Sequence, residues 1–167
     1  MKIVKRLFPS YVSRSTISLF LVNYFFQRFL RINAKLRANL HFSSRYAGSG
    51  ELKIVGNESN LQLCLMSNPS IYINTSNTVI TIDSSVYIAS GVKIVAANHD
   101  VNNLNKAVFP AGEISIGRDC WLGANVVILP SVRLGPRTIV GAGAVVTKSF
   151  SGKCIIAGCP AKVIRNL

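Results

Sequence analysis

The chain has 167 residues, 49% of them hydrophobic and only 15% charged, with a net charge of +13. That length sets one domain, or one domain with an arm, and the apolar content excludes wholesale disorder. The charge is lopsided: residues 1–50 carry nine basic side chains and no acidic one, whereas residues 51–167 carry ten basic and six acidic.

The first predicted element is helical. From Ser15 onward, Asn23, Gln27, Arg31 and Lys35 recur at four-residue steps and form one polar stripe. Ile17, Leu21, Phe25, Phe29, Ile32 and Leu36 cover the other side. Ser13 or Ser15 suits the N-cap. Two roles fit this basic amphipathic arm, residues 1–50. It covers the open end of the domain that follows, or it lies on an anionic membrane surface through residues 1–45. The two are compatible. The apolar run from Ile17 to Phe26 is too short to span a bilayer. Lys2, Lys5 and Arg6 resemble the start of a secretion signal, but the apolar run begins only near Ile17 and no small-residue cleavage site follows. A cytoplasmic chain, peripheral at the inner face of the membrane if the arm meets lipid, is therefore expected. No nucleic-acid partner is expected, because no recognised motif accompanies the basic stripe.

From Glu51 the pattern changes. Leu52, Ile54, Leu61, Leu63, Leu65, Ile71, Ile73, Val79 and Ile80 alternate with polar residues between Asn, Ser, Gly and Pro breakers, which predicts short, irregular strands. From Ile82 a six-residue repeat takes over: IDSSVY, IASGVK, IVAANH, then IGRDCW, LGANVV, ILPSVR, LGPRTI and VGAGAV. Every first position is aliphatic: Ile82, Ile88, Ile94, Ile116, Leu122, Ile128, Leu134 and Val140. The fifth positions are Val86, Val92, Asn98, Cys120, Val126, Val132, Thr138 and Ala144, all small or β-branched except Asn98. Strict spacing of this kind predicts a mainly β fold, a left-handed parallel β-helix solenoid over residues 51–167, in which three hexads complete one triangular coil. First and fifth positions point inward. Gly117, Gly123, Gly135 and Gly141 follow the aliphatic residue, where the chain is expected to turn without a Cβ penalty.

Between Ile94 and Ile116 the repeat breaks. If IVAANH completes a hexad, residues 100–115 form a 16-residue insertion extruded from a corner. Loops that long inside a compact fold are usually functional.

Chemistry-bearing residues are scarce. Cys64, Cys120, Cys154 and Cys159 form no CxxC pair and are expected as free thiols in a reducing compartment. The two histidines are His41, in the arm, and His99, where a coil ends and the insertion begins. An imidazole accepts a proton near neutral pH, so His99 is the candidate general base and His41 the structural one. Asn98 replaces the small residue expected at its position, either to bond a ligand or to hold a turn. Asp100, Glu113 or a backbone carbonyl could orient the imidazole. Two histidines are too few for a three-histidine zinc site within one chain, so no metal is expected.

The stretch from ISIGRDCW to the C-terminus, with WLGANVVILPSV, GAGAVVTK and AGCPAKVIR, resembles the C-terminal half of hexapeptide-repeat acyltransferases. The branch it resembles holds the galactoside, maltose and nodulation-factor O-acetyltransferases, with the xenobiotic acetyltransferases nearby. The resemblance covers about residues 70–167 and leaves out the arm. It implies a homotrimer that transfers an acetyl group from acetyl-CoA to a hydroxyl of a sugar, in polysaccharide or glycolipid biosynthesis. It also implies roles by position. His99 matches the family's general base. Trp121 matches a tryptophan beside the acyl and pantetheine site, in reach of substrate and cofactor. Asn98 and Asp100 are expected as substrate neighbours from their place beside His99, and the resemblance transfers no acceptor contact. Ala124 and Ala142 match backbone contacts to pantetheine. Thr147 and Lys148 match a pair near the nucleotide end of coenzyme A, and Lys162 and Arg165 match tail cations that meet its phosphates. SFSG stands where many relatives carry a proline turn, so local loop shape differs there. Antibiotic acetylation, N-acetylation of a nucleotide sugar, and a non-catalytic trimeric scaffold are the competing expectations.

Overall fold

The computed structural model describes residues 16–167, apart from residue 37, residue 101 and residues 103–107. The hexads determine its architecture. Short strands fall into three parallel sheets that the chain visits in rotation. The first sheet holds β2 (Glu51–Val55), β4 (Val79–Asp83), β9 (Ile114–Ile116) and β12 (Arg133–Leu134). The second holds β5 (Tyr87–Ile88), β10 (Trp121–Leu122), β13 (Thr138–Val140) and β15 (Cys154–Ala157), with the antiparallel β16 (Lys162–Asn166) on its outer edge. The third holds β1 (Arg45–Ala47), β3 (Tyr72–Asn74), β6 (Lys93–Val95), β11 (Val127–Ile128) and β14 (Val145–Val146). Register makes the repeat physical. Leu122 pairs with Val140, Ile128 with Val146 and Ile116 with Leu134, each 18 positions on. A turn of three hexads thus stacks each aliphatic residue on its equivalent. The last turn is shorter: Val140 pairs with Ile156 and Leu134 bridges Phe150, each 16 positions on. The shortening falls at SFSG.

The core is the stack itself. All eight first-position residues are buried, and so are all the fifth-position residues apart from Asn98. Each new turn removes one layer of aliphatic surface from water and pairs one set of strand edges.

Three expectations are corrected. First, Leu61, Leu63 and Leu65 do not lie on a strand. Asn60–Ser67 is a helix, α2, standing where the second sheet would otherwise gain a strand above β5. Leu61 and Leu65 are one helical turn apart and fully buried with Met66, so the alternation at 61, 63 and 65 matched the helical period at two of its three positions. The helix also serves polar groups of the neighbouring turn: Leu61 N–H donates to Ser84 O, and Asn68 Nδ2 donates to Ile88 O. Second, the backbone bends with positive φ at the fourth hexad position, not the second. Asp119, Asn125, Ser131 and Arg137 lie at φ 57 to 65°, alongside Gly91 and Gly143. The second-position glycines are needed for close approach. A Cβ on Gly123 would stand 2.7 Å from Ala142 N, and one on Gly135 would stand 2.0 Å from Ser151 O, in the next turn.

Third, the arm helix is shorter than the pattern predicts and turned the other way round. The α-helix α1 covers Ile17–Tyr24, and a π-helical turn continues through Phe25–Phe29. Arg31 and Asn33 then take positive φ, and the chain doubles back. Two members of the polar stripe face inward: Asn23 is 0% exposed and Gln27 4%. Asn23 donates to Met66 O and accepts from Phe42 N–H. Gln27 donates to Leu36 O and Ala38 O and accepts from Leu40 N–H. The returning segment buries Leu36, Ala38 and Leu40 in the core. An unpaired buried peptide group costs about 1–3 kcal/mol, and the two inward amides spare this irregular segment that cost.

Candidate active site

The break in the repeat is an antiparallel hairpin. Its strands are β7 (Ala97–His99) and β8 (Val108–Pro110), with Asn98 opposite Phe109 and His99 opposite Val108. The register shows how much is inserted: Ile82 pairs with Ile116 and Ile88 with Leu122, 34 positions on instead of 18. The excess is the 16 residues expected. The hairpin begins at Ala97, before the hexad is complete, and this accounts for Asn98. Its position has left the prism, and its side chain is exposed. Part of the insertion, residue 101 and residues 103–107, lies outside the described residues.

His99 is exposed on this hairpin, at the edge where the third sheet passes to the first. Asp100, half-buried, uses Oδ1 to accept the N–H of Asn102, which holds the start of the loop. Thr147 and Lys148 follow β14 on the same edge, two turns along, and both are exposed. Lys148 Nζ lies 5.8 Å from the centre of the Phe150 ring.

The remaining sequence-predicted residues lie elsewhere. Trp121 stands on the second sheet, 56% exposed. Ala124 and Ala142 sit one above the other where the second sheet passes to the third, and Gly143 N–H donates to Ala124 O beside them. Lys162 and Arg165 are exposed on β16, which pairs with β15 of the second sheet. Within one chain the third sheet therefore separates two groups. His99, Asn98, Asp100, Thr147 and Lys148 line one edge; Trp121, Ala124, Ala142, Lys162 and Arg165 line the second sheet and the other edge.

Sequence reasoning passed over Tyr87. It pairs in register with Trp121 one turn away and is also exposed, so the two outward aromatics are neighbours on the second sheet. The signal was present: both are sixth in their hexads, at equivalent corners of successive turns.

Other candidates carry less. Cys120 is buried, its Sγ 3.3 Å from Gly135 O, and burial pushes its thiol pKa up, which disfavours the nucleophilic thiolate. Burial likewise raises Cys64 and lowers His41 from their usual values. His41 Nδ1 is 2.9 Å from Ser43 Oγ, and its ring stacks on Phe42, a structural arrangement. Among the described residues no group of His, Cys, Asp and Glu is arranged to hold a metal ion.

Residues 113–148 match the family described as bacterial transferase hexapeptide (six repeats), over the same residues whose strands stack 18 positions apart. Over these residues the chain is similar to the hexapeptide-repeat transferases. Among curated relatives of this hexapeptide-repeat chain is the galactoside O-acetyltransferase of Escherichia coli, 34% identical over 108 residues, 59% of this chain and 52% of that protein. A putative acetyltransferase of Schizosaccharomyces pombe is 35% identical over 53% of this chain and 44% of its own length. The chain thus spans about half the length of these relatives. A hexapeptide-repeat acetyltransferase from Vibrio cholerae, solved with acetyl coenzyme A, shares the fold at a TM-score of 0.54 and 24% identity, over 77% of this chain and 63% of that one. Hexapeptide-repeat transferases thus share this chain's mainly β, parallel-sheet architecture.

Proposed function

We propose that this chain is an acetyl-CoA-dependent O-acetyltransferase acting on a sugar hydroxyl of a glycan or glycolipid, with His99 as the general base. The observation that carries the proposal is the exposed imidazole on the one hairpin that interrupts the described hexads. The similarity to a galactoside O-acetyltransferase supports a hydroxyl acceptor over an amine.

The proposed coil is left-handed, as the six-residue repeat and the similarity to hexapeptide-repeat transferases imply. The proposed assembly is a homotrimer with each site between two protomers. What supports it is the separation of the base from Trp121, Ala124, Ala142, Lys162 and Arg165 across the third sheet. A neighbour's second-sheet edge set against this chain's hairpin brings the two groups together.

The residues fit coenzyme A. Its phosphates need cations, and Lys148, Lys162 and Arg165 are exposed and form no salt bridge among the described residues. Its pantetheine arm needs a flat, open edge, and Ala124 and Ala142 present one. Trp121 and Tyr87 offer an apolar wall for the thioester end. When bound, acetyl-CoA supplies the activated thioester carbonyl. His99 removes the proton of the acceptor hydroxyl as that oxygen attacks, and the imidazolium then returns the proton to the departing thiolate. Asn98 hydrogen-bonds the acceptor. Asp100 acts on the hairpin instead, by holding Asn102.

The decisive experiment is a thiol-release assay with acetyl-CoA over galactosides, maltose, nucleotide sugars and amino sugars. Release with a hydroxyl acceptor is expected. His99→Ala should lower turnover about 10²–10⁴-fold while leaving the circular dichroism spectrum and CoA binding unchanged. A His99→Ala protein at near-full rate removes the base assignment; release with amino sugars alone makes the chain an N-acetyltransferase; no CoA binding at all favours a scaffold.

A further inference from the structure

The inward turn of Asn23 and Gln27 has a counterpart on the opposite side of the same helix. Leu21, Val22, Tyr24, Phe25, Phe29 and Leu30 are all exposed, Phe29 by 75%. Phe25 and Phe29 stack with ring centres 5.1 Å apart, one apolar ridge along the helix. Arg28, Arg31 and Lys35 are exposed around it. A contiguous apolar face of this kind on a soluble molecule marks an interaction site. Its occupant is indicated by charge. Residues 1–50 hold nine basic and no acidic side chains. A second copy would bring the same uncompensated positive charge to the contact, and like charges destabilise such a face. An anionic lipid surface complements both features: acyl chains accept the phenylalanines, and phosphates neutralise the arginines and lysine.

We propose that the outward apolar face of Ile17–Phe29, ringed by Arg28, Arg31 and Lys35, docks the protein on an anionic phospholipid surface. The helix lies in the interface; among the described residues no helix is long and apolar enough to cross a membrane. The buried amides fix its roll, so the aromatics are already presented before lipid is met, and docking requires no rearrangement of the arm. The surface is distinct from the His99 hairpin, and the proposal stands without the acyl-transfer reading.

The test is flotation of the full chain with vesicles of phosphatidylcholine alone and with phosphatidylcholine containing roughly a third phosphatidylglycerol. The wild-type protein should float with the anionic vesicles and not with the neutral ones. Phe25→Ser/Phe29→Ser changes only exposed side chains, so it should keep the circular dichroism spectrum and lose partition about tenfold or more. Arg28→Gln/Arg31→Gln should lower anionic binding about 25-fold, since each cation near such a surface contributes about a fivefold preference. No flotation of the wild type, or undiminished flotation of the serine variant, overturns the proposal. So does a serine variant that loses its oligomeric state on a sizing column, because the face is then a contact between copies. Thiol release with a soluble acceptor, measured on the same variants, should be unchanged, which keeps this outcome separate from the fate of the catalytic reading.

Discussion

Gln27 and Lys35 stand on one stripe in the sequence and in opposite environments in the fold. Gln27 is buried, with its amide nitrogen serving the carbonyls of Asn33, Leu36 and Ala38 and its oxygen one N–H, whereas Lys35 is exposed. Gln27→Leu leaves those backbone groups buried and unpaired, and should lower stability by about 1–3 kcal/mol. Lys35→Leu should stay within about 0.5 kcal/mol. Urea midpoints measure both, and equal shifts would contradict the inward roll of the helix. Hydrophobic patterning could not reveal this roll. It assumes that polar residues seek water, and here the polar groups in need of partners belong to the backbone at 36–42. The place of His99 at the break, by contrast, was legible because the repeat itself marked where the stack was interrupted. Tyr87 was missed although it occupies the hexad position of Trp121. An aromatic on a sheet face carries no chemical signature until its neighbour one turn away is known.

At the scale of the element, the hexads were read almost without loss. The first and fifth positions are buried as expected, and the insertion has the expected length. Two residue types were misread. Leucines at 61, 63 and 65 fit a two-residue period by composition alone, and only the vacant place above β5 makes them a helix. Glycine after the aliphatic residue looked like a conformational requirement and is a packing one. The two kinds of glycine should respond differently. Gly135→Ala places a methyl against Ser151 O and should cost about 3 kcal/mol, because the Gly135 N–H to Phe150 O hydrogen bond holds the two turns together and would have to break for them to part. Gly143 has φ +71° and open space around its Cβ direction, so Gly143→Ala should cost only the left-handed penalty, about 1–2 kcal/mol. Asparagine at 143 should cost less than alanine, as Asn125 adopts the same conformation at the same hexad position. Thermal melts of the three variants check this order.

For the whole molecule, the separation of His99 from Trp121 across the third sheet makes a quantitative statement about assembly. If each site takes its base from one protomer and its aromatic wall from the next, His99→Ala and Trp121→Ala are complementary defects. Each homotrimer should be nearly inactive. A randomly assembled population, formed by co-expression or by unfolding and refolding together in equal amounts, should regain about a quarter of the wild-type rate, because one site in four then draws both residues from intact protomers. Rates that stay at the level of the two parents would place each site within one chain. The acceptor was not legible at any scale, because the sequence resemblance stops short of the arm.

The outermost strand of the second sheet runs against its neighbour: β16 is antiparallel to β15, whereas every other pairing in the three large sheets is parallel. A stack of parallel rungs presents at its end the template on which another molecule's first rung would add, and so on into a fibre. The reversed strand offers an incoming rung the wrong polarity. Lys162 and Arg165, exposed on that strand, add a like-charge barrier to the same approach. The tail proposed to supply cations to the nucleotide end thereby also opposes end-to-end addition on the second sheet, and shortening it should trade solubility for filaments.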